Sequence, residues 1–216
     1  LTDANEIDYR GRMQSTTEAA SPGLGVREAQ RLATRARVFD AALAEIGQSG
    51  LAGADVAAIA AAAGVVRGTF YFHFPTKEHV LVELERAEEA KIVAKLDTGA
   101  TGDVIAMLSL LVRQVLAAER RLGPVVFRDM LGLHFSATRP VEDEMTEHPL
   151  ARYLIDVFAR AQAAGHVRRD AQPGELGVIF LTGLFALLAT GLGLSRARAA
   201  LLDRYVTTIV QGMEAP

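Results

Sequence analysis

Across residues 27–50 the apolar positions Leu32, Ala36, Phe39, Leu43 and Ile46 step by four and three, the repeat of a helix with one buried stripe. Gly47 and Gly50 bracket its end. The next segment, 55–79, reads DVAAIAAAAGVVRGTFYFHFPTKEH and predicts two short helices parted by a glycine. Asp55 can cap a helix over 56–63, because its carboxylate accepts from backbone N–H groups that otherwise lack partners. Gly64 ends that helix: the turn needs a residue at positive φ, which only glycine reaches without a Cβ clash, and Ala60 leaves room for a close crossing. Ile59, Val65, Phe70 and Phe74 fall at spacings that let both helices share one small core. Arg67, Gly68, Thr69, Tyr71 and His73 are left facing outward, the layout of a helix-turn-helix and therefore of a DNA-binding unit.

Thr76 then caps a long helix reaching about residue 96, with Lys77 and Glu78 in its first turn, and DTGATGD supplies a linker. Further helices are predicted at about 103–120, 124–135, 149–164, 173–192 and 195–213. Pro124, Pro149 and Pro173 suit a first helical turn, where the missing N–H costs nothing; Ser195 is a good N-cap, and Gly165 suits a helix C-terminus. No segment alternates long enough for a strand and no repeat is visible, so the fold class is all-α. The 19 residues 176–194 carry no charge, close to the length of a membrane span. Against a span stand Gly183, Gly191, Gly193, Thr182 and Thr190; the other reading is a helix covered by its own domain on one face and by a partner subunit on the other. Gly183, Ala186 and Thr190 share a stripe that would allow close helix approach.

At 216 residues, half of them apolar, the chain suits a compact domain with a small appendage. A formal net charge of −3 means that contact with DNA must come from a local patch. Arg27, Arg31 and Arg35 recur every fourth residue and form a basic ridge, either a solvated face pairing with Glu28 and its neighbours or a set of phosphate contacts beside the groove. The absence of cysteine excludes disulfides, thiolate zinc sites and cysteine nucleophiles and fits a reducing, cytoplasmic location. Residues 1–26 are polar, without a signal-peptide pattern, and read as a disordered arm.

The stretch IAAAAGVVRGTFYFHFPTKEHVL resembles the DNA-binding signature of the tetracycline-repressor (TetR) family, a likeness covering about residues 30–82. The resemblance implies a three-helix head over 27–75 and a six-helix regulatory and dimerisation body over 76–216, with the last two helices (about 173–213) pairing across a two-fold axis to give a homodimer. Arg67, Gly68 and Thr69 would then start the recognition helix, nearest the base edges of the major groove. Arg67 could grip guanine O6 and N7 together, or clamp a phosphate without base preference. Tyr71, His73 and Lys77 would donate to phosphates. In two places the chain departs from the family: Val66 stands where a small hydroxyl residue is usual, and Asp55 where threonine often is, both weakening backbone anchoring.

The family's body usually holds a small-molecule effector, and here its central helices offer Met107, Leu111, Gln114, Phe127, Met130, His134, Phe158 and Gln162. Either these form a mostly apolar pocket oriented by Gln114, His134 and Gln162, or they are ordinary core. Glu144 and His148, four apart, could share a metal or belong to a solvated acidic loop. No nucleophile elbow, phosphate-cradling glycine loop or metal-helix His pair is present, so no enzyme activity, cofactor or metal is expected. The expectation is a regulator of transcription, a repressor released from a double-stranded DNA operator by its effector, rather than a membrane-attached or enzymatic helical protein.

Overall fold

The computed structural model describes residues 22–96, 103–144, 148–190 and 196–213. The regular elements among them are α1 (Pro22–Gly53), α2 (Val56–Ala62), α3 (Arg67–His73), α4 (Lys77–Leu96), α5 (Val104–Leu122), α6 (Pro124–Gly132), a 3₁₀ turn (Leu133–Phe135), α7 (Pro149–Ala163), α8 (Pro173–Ala189) and α9 (Arg196–Met213). The all-α expectation and the order of elements hold. Local signals set the boundaries as expected at several ends: Asp55 accepts from Ala57 N at 2.9 Å, Pro124, Pro149 and Pro173 open their helices, and Gly165 takes φ 83° after α7. Ser195 and the linker 97–102 lie outside the described residues, as do 1–21 of the expected arm, whereas 22–26 open α1.

The buried stripe of α1 differs from the expected one. Val38, Ala42 and Ile46 are its fully buried positions, with Phe39 and Leu43 beside them, while Leu32 is 53% exposed and Ala36 is exposed. The reason is coverage: α2, α4 and α6 pack on α1, but residues 25–33 stand clear of them all. At Gly50 (φ 70°, ψ 164°) the helix breaks into a last short turn, and Asp129 of α6 accepts from Leu51 N at 2.7 Å. That bond fastens the end of α1 to the body.

Two apolar cores result. The smaller unites Val38, Ala42, Ile59, Ala63, Phe70, Phe74 and Val80 of α1–α4. The larger takes in Ile46 near the end of α1, Ala54 and, from Leu81 on, α4–α9, and Phe39 and Leu43 touch both. α4 thus runs from head to body, packed on α1, α5, α6 and α7, while α8 lies on α7 and α6, and α9 on α5.

No single described helix is long and apolar enough to cross a membrane; the uncharged stretch contributes the 17-residue α8. Phe180, Leu181, Leu184, Phe185 and Leu188 face its own chain, whereas Val178 and Ile179 are exposed. Gly183 serves that chain too: a Cβ there would overlap the hydroxyl and ring of Tyr205, whose hydroxyl donates to Phe180 O at 2.7 Å. The small residue therefore admits α9 of the same chain rather than a second subunit. Gly183→Ala should cost about 1–3 kcal/mol through overpacking, read as a lower denaturation midpoint; an unchanged midpoint would contradict this close approach.

Candidate nucleic-acid interface

α2 and α3 are short and meet at 97°, within the range of helix-turn-helix pairs. The turn closes by hydrogen bonds from Gly64 N to Ala61 O (3.1 Å) and from Val65 N to Ala60 O (2.9 Å), with Gly64 at φ 66°. This pair of bonds satisfies the last carbonyls of α2 and needs a left-handed residue between them. Beneath the turn, Phe70 packs on Phe74 with ring centroids 6.0 Å apart and meets Tyr71 edge-on at 5.4 Å. The orientation of α3 is thereby fixed from below.

Above it, Arg67, Gly68 and Tyr71 are exposed, and Thr69 and His73 half-buried. Arg67 Nη2 donates to the Tyr71 hydroxyl at 3.2 Å, so the guanidinium lies along the outer face of α3, parked beside a neutral partner and not in an ion pair. Val66 precedes the helix without a side-chain cap. Gly68 has nothing within 4 Å of where a Cβ would stand. Burial, then the charges of Arg35 and Arg31, hold His73 below the usual imidazole range. Phe72, 72% exposed beside these groups, escaped the sequence reading. Its signal was position: Phe70 and Phe74 share the inward face, and a residue midway between them points out.

The remaining cations sit elsewhere. Arg31 is bonded to Glu28 (2.8 and 2.6 Å), and Arg27 is exposed. Arg35 reaches across to α4, binding Glu83 with both Nη atoms, and its guanidinium carbon lies 4.6 Å from the Phe74 ring centroid. Lys77 Nζ donates to Ala52 O and Ala54 O at 3.0 and 3.1 Å. Arg35 and Lys77 are thus clasps between the head helices and α4, not cations held out toward a phosphate. At the end of a broken helix the carbonyls are orphaned, and the Lys77 ammonium reaches two of them from the start of α4.

In the body, Leu111, Phe127, Met130 and Phe158 are core residues and Met107 packs against them. Gln114 is half-buried on α5. Gln162 lies apart from them: its amide donates to the carbonyls of Arg168, Arg169 and Ala171 and so ties the turn after α7. His134 faces Glu85 through Nε2, its ring centroid 4.7 Å from that of Phe185. One hollow among these helices measures about 20 Å³, room for a single water. Of the expected pocket residues Phe127 and Met130 line it, joined by Glu85, Glu88 and Glu89 of α4. Burial pushes the Glu88 carboxyl up, but Lys91 and Arg121 bound to it bring it below the usual range. Of the suggested metal pair, Glu144 is exposed while His148 is buried against Glu89 and Asp143.

Residues 38–84 match the family model described as "Bacterial regulatory proteins, tetR family". The HTH-type transcriptional repressor KstR of Mycobacterium tuberculosis is 30% identical over 145 residues, and that of Mycolicibacterium smegmatis 32%; each match takes in 66% of this chain, and 64% and 69% of the relatives. Among solved structures, FadR of Thermus thermophilus in complex with lauroyl-CoA superposes with a TM-score of 0.69 at 23% identity, over 84% of this chain and 96% of that one. RolR in complex with resorcinol gives 0.64 at 16% identity, over 88% and 92%. The matched segment coincides with the head built above, and the likeness in fold extends through the body. The chain belongs to the tetR family of bacterial regulatory proteins.

Proposed function

We propose that two copies of this chain, paired through α8 and α9, bind a palindromic DNA operator in the cytoplasm and repress transcription until a small, largely apolar effector enters the body. The observation that carries this reading is the head itself: a recognition helix set at 97° to its neighbour, with Arg67 and Gly68 exposed at its start. Two such helices about 34–36 Å apart fit successive major grooves on one face of B-DNA. Exposed Val178 and Ile179 give α8 apolar surface for a partner copy. The curated relatives are repressors, and FadR and RolR were solved with lauroyl-CoA and resorcinol, which carry an apolar acyl chain and an aromatic ring respectively. The effector would part α4 from the body, and the Arg35–Glu83 and Lys77 clasps would carry that movement to the head. Couplings of this kind are typically about 1–3 kcal/mol.

Arg67 is the base reader in this scheme, with Thr69 beside it and Tyr71, His73 and the Arg27–Arg31 end of α1 toward the phosphates. Duplexes selected from a random pool should reveal a palindrome. On that site Arg67→Ala should lose about 1–3 kcal/mol of preference over a scrambled duplex, measured by titration at several salt concentrations. An unchanged preference removes Arg67 from this role; a monomer indifferent to every duplex removes the function.

A further inference from the structure

α4 turns carboxylates inward, and one group of them meets the chain before α7. The side chains of Glu85, Asp143 and His148 are 2%, 2% and 1% exposed, and one potential ligand atom from each lies within 4.8 Å of the other two. In each, one polar atom is held by a neighbour while another faces the shared centre. Glu85 Oε1 is held by His134 Nε2, and its Oε2 has no hydrogen bond. Asp143 Oδ1 accepts from Arg86 Nη2 at 2.8 Å, and its Oδ2 has no hydrogen bond of normal geometry. His148 Nδ1 lies 3.2 Å from Glu89 Oε2 and Nε2 2.8 Å from Asp143 Oδ1; a carboxylate only accepts, so both ring nitrogens carry protons, and Nε2 is the one that faces the shared centre.

Buried carboxylate oxygens without donors require a cation. Here it is Arg139, whose Nη2 lies 2.5 Å from Asp143 Oδ2, 3.4 Å from His148 Nε2 and 3.7 Å from Glu85 Oε2. The fit is poor: only one of the three contacts is close, and Arg139 Nη1 is itself buried without a partner. A planar fork suits two parallel acceptors, whereas two oxygens and a nitrogen converging on one point suit a compact ion.

We propose that Glu85, Asp143 and His148 form a binding site for a divalent transition ion of the Zn²⁺ class, which displaces the Arg139 guanidinium. Two carboxylates and an imidazole are a borderline-hard donor set suited to such ions. The surroundings are those of a metal centre: a carboxylate on the far nitrogen of the histidine, and hydrogen bonds on the outer oxygens of both acids. Charge is conserved as well. Three carboxylates balance the guanidiniums of Arg86 and Arg139 and the protonated His148; a dication that replaces both Arg139 and the His148 Nε2 proton keeps that balance, with the ligating imidazole neutral as it must be.

The test is titration of chelator-treated full-length protein with zinc chloride by calorimetry, with metal per chain read by elemental analysis after desalting and melting curves recorded with and without zinc. One ion per chain is expected. Asp143→Asn should weaken binding about 100-fold. Arg139→Ala, which removes the competing cation, should tighten it on the order of tenfold and should gain more melting temperature from zinc than the parent does. Should Asp143→Asn fail to fold, the Arg139→Ala comparison decides. Absence of binding to both the parent and Arg139→Ala overturns the site, and so does affinity equal in parent, Asp143→Asn and Arg139→Ala, which would place the ion elsewhere.

Discussion

Phe70→Ala should abolish duplex binding while the protein still elutes as an assembled body, at a cost of about 3–5 kcal/mol to the head. Phe70 is fully buried in a core of only seven buried side chains, and it touches both aromatics that aim α3. So small a core has few side chains that can move into the space left behind, which puts the cost toward the full cavity penalty. The body core is built from other residues and meets this one through Phe39 and Leu43. Circular dichroism and gel filtration would register a local loss of helix with the assembly retained. Undiminished binding would mean that the head is not held from below as described.

Phe127→Ala should cost the body about 3–5 kcal/mol as well, and it should do something that Phe70→Ala does not: create a guest site. Phe127 is buried at the wall of the 20 Å³ hollow, among Ile92, Val115, Met130, Leu131 and Leu150. Removing its ring joins the vacated space to that hollow and leaves a largely apolar cavity of the kind that accepts benzene. The melting temperature should fall by several degrees and recover in part when benzene is added, because a ligand that binds only the folded state stabilises it. No recovery would indicate that the helices close over the gap or that buried Glu85, Glu88 and Glu89 keep it wet.

The head was legible because every signal agreed locally: the Asp55 cap, the glycine turn and the inward spacing of Ile59, Phe70 and Phe74 each need only neighbours in sequence. Helix ends in the body were legible for the same reason, from prolines and Gly165. What escaped depends on partners distant in the chain. The exposure of Leu32 and Ala36 follows from where α2, α4 and α6 stop, which no local period records. Arg35 and Lys77 read as phosphate cations, yet Glu83 and the Ala52 and Ala54 carbonyls lie within their reach. Gln162 looked like a pocket group and is spent on a turn nine residues later. The inward acids of α4 drew no expectation, although Leu81, Glu85, Glu88, Ile92 and Leu96 recur as one buried stripe with two carboxylates set in it. That stripe was readable in the periodicity; of its partners only Lys91 is near in sequence, whereas Arg121, His134 and Arg139 lie 33 to 54 residues further on.

The narrow hollow has a kinetic corollary. An effector larger than one water that is taken up there must wait for the helices lining it to part, and its apparent affinity is scaled down by the fraction of time they are open. Association should accordingly level off at high effector concentration, at a ceiling set by the breathing rate of the bundle rather than by diffusion.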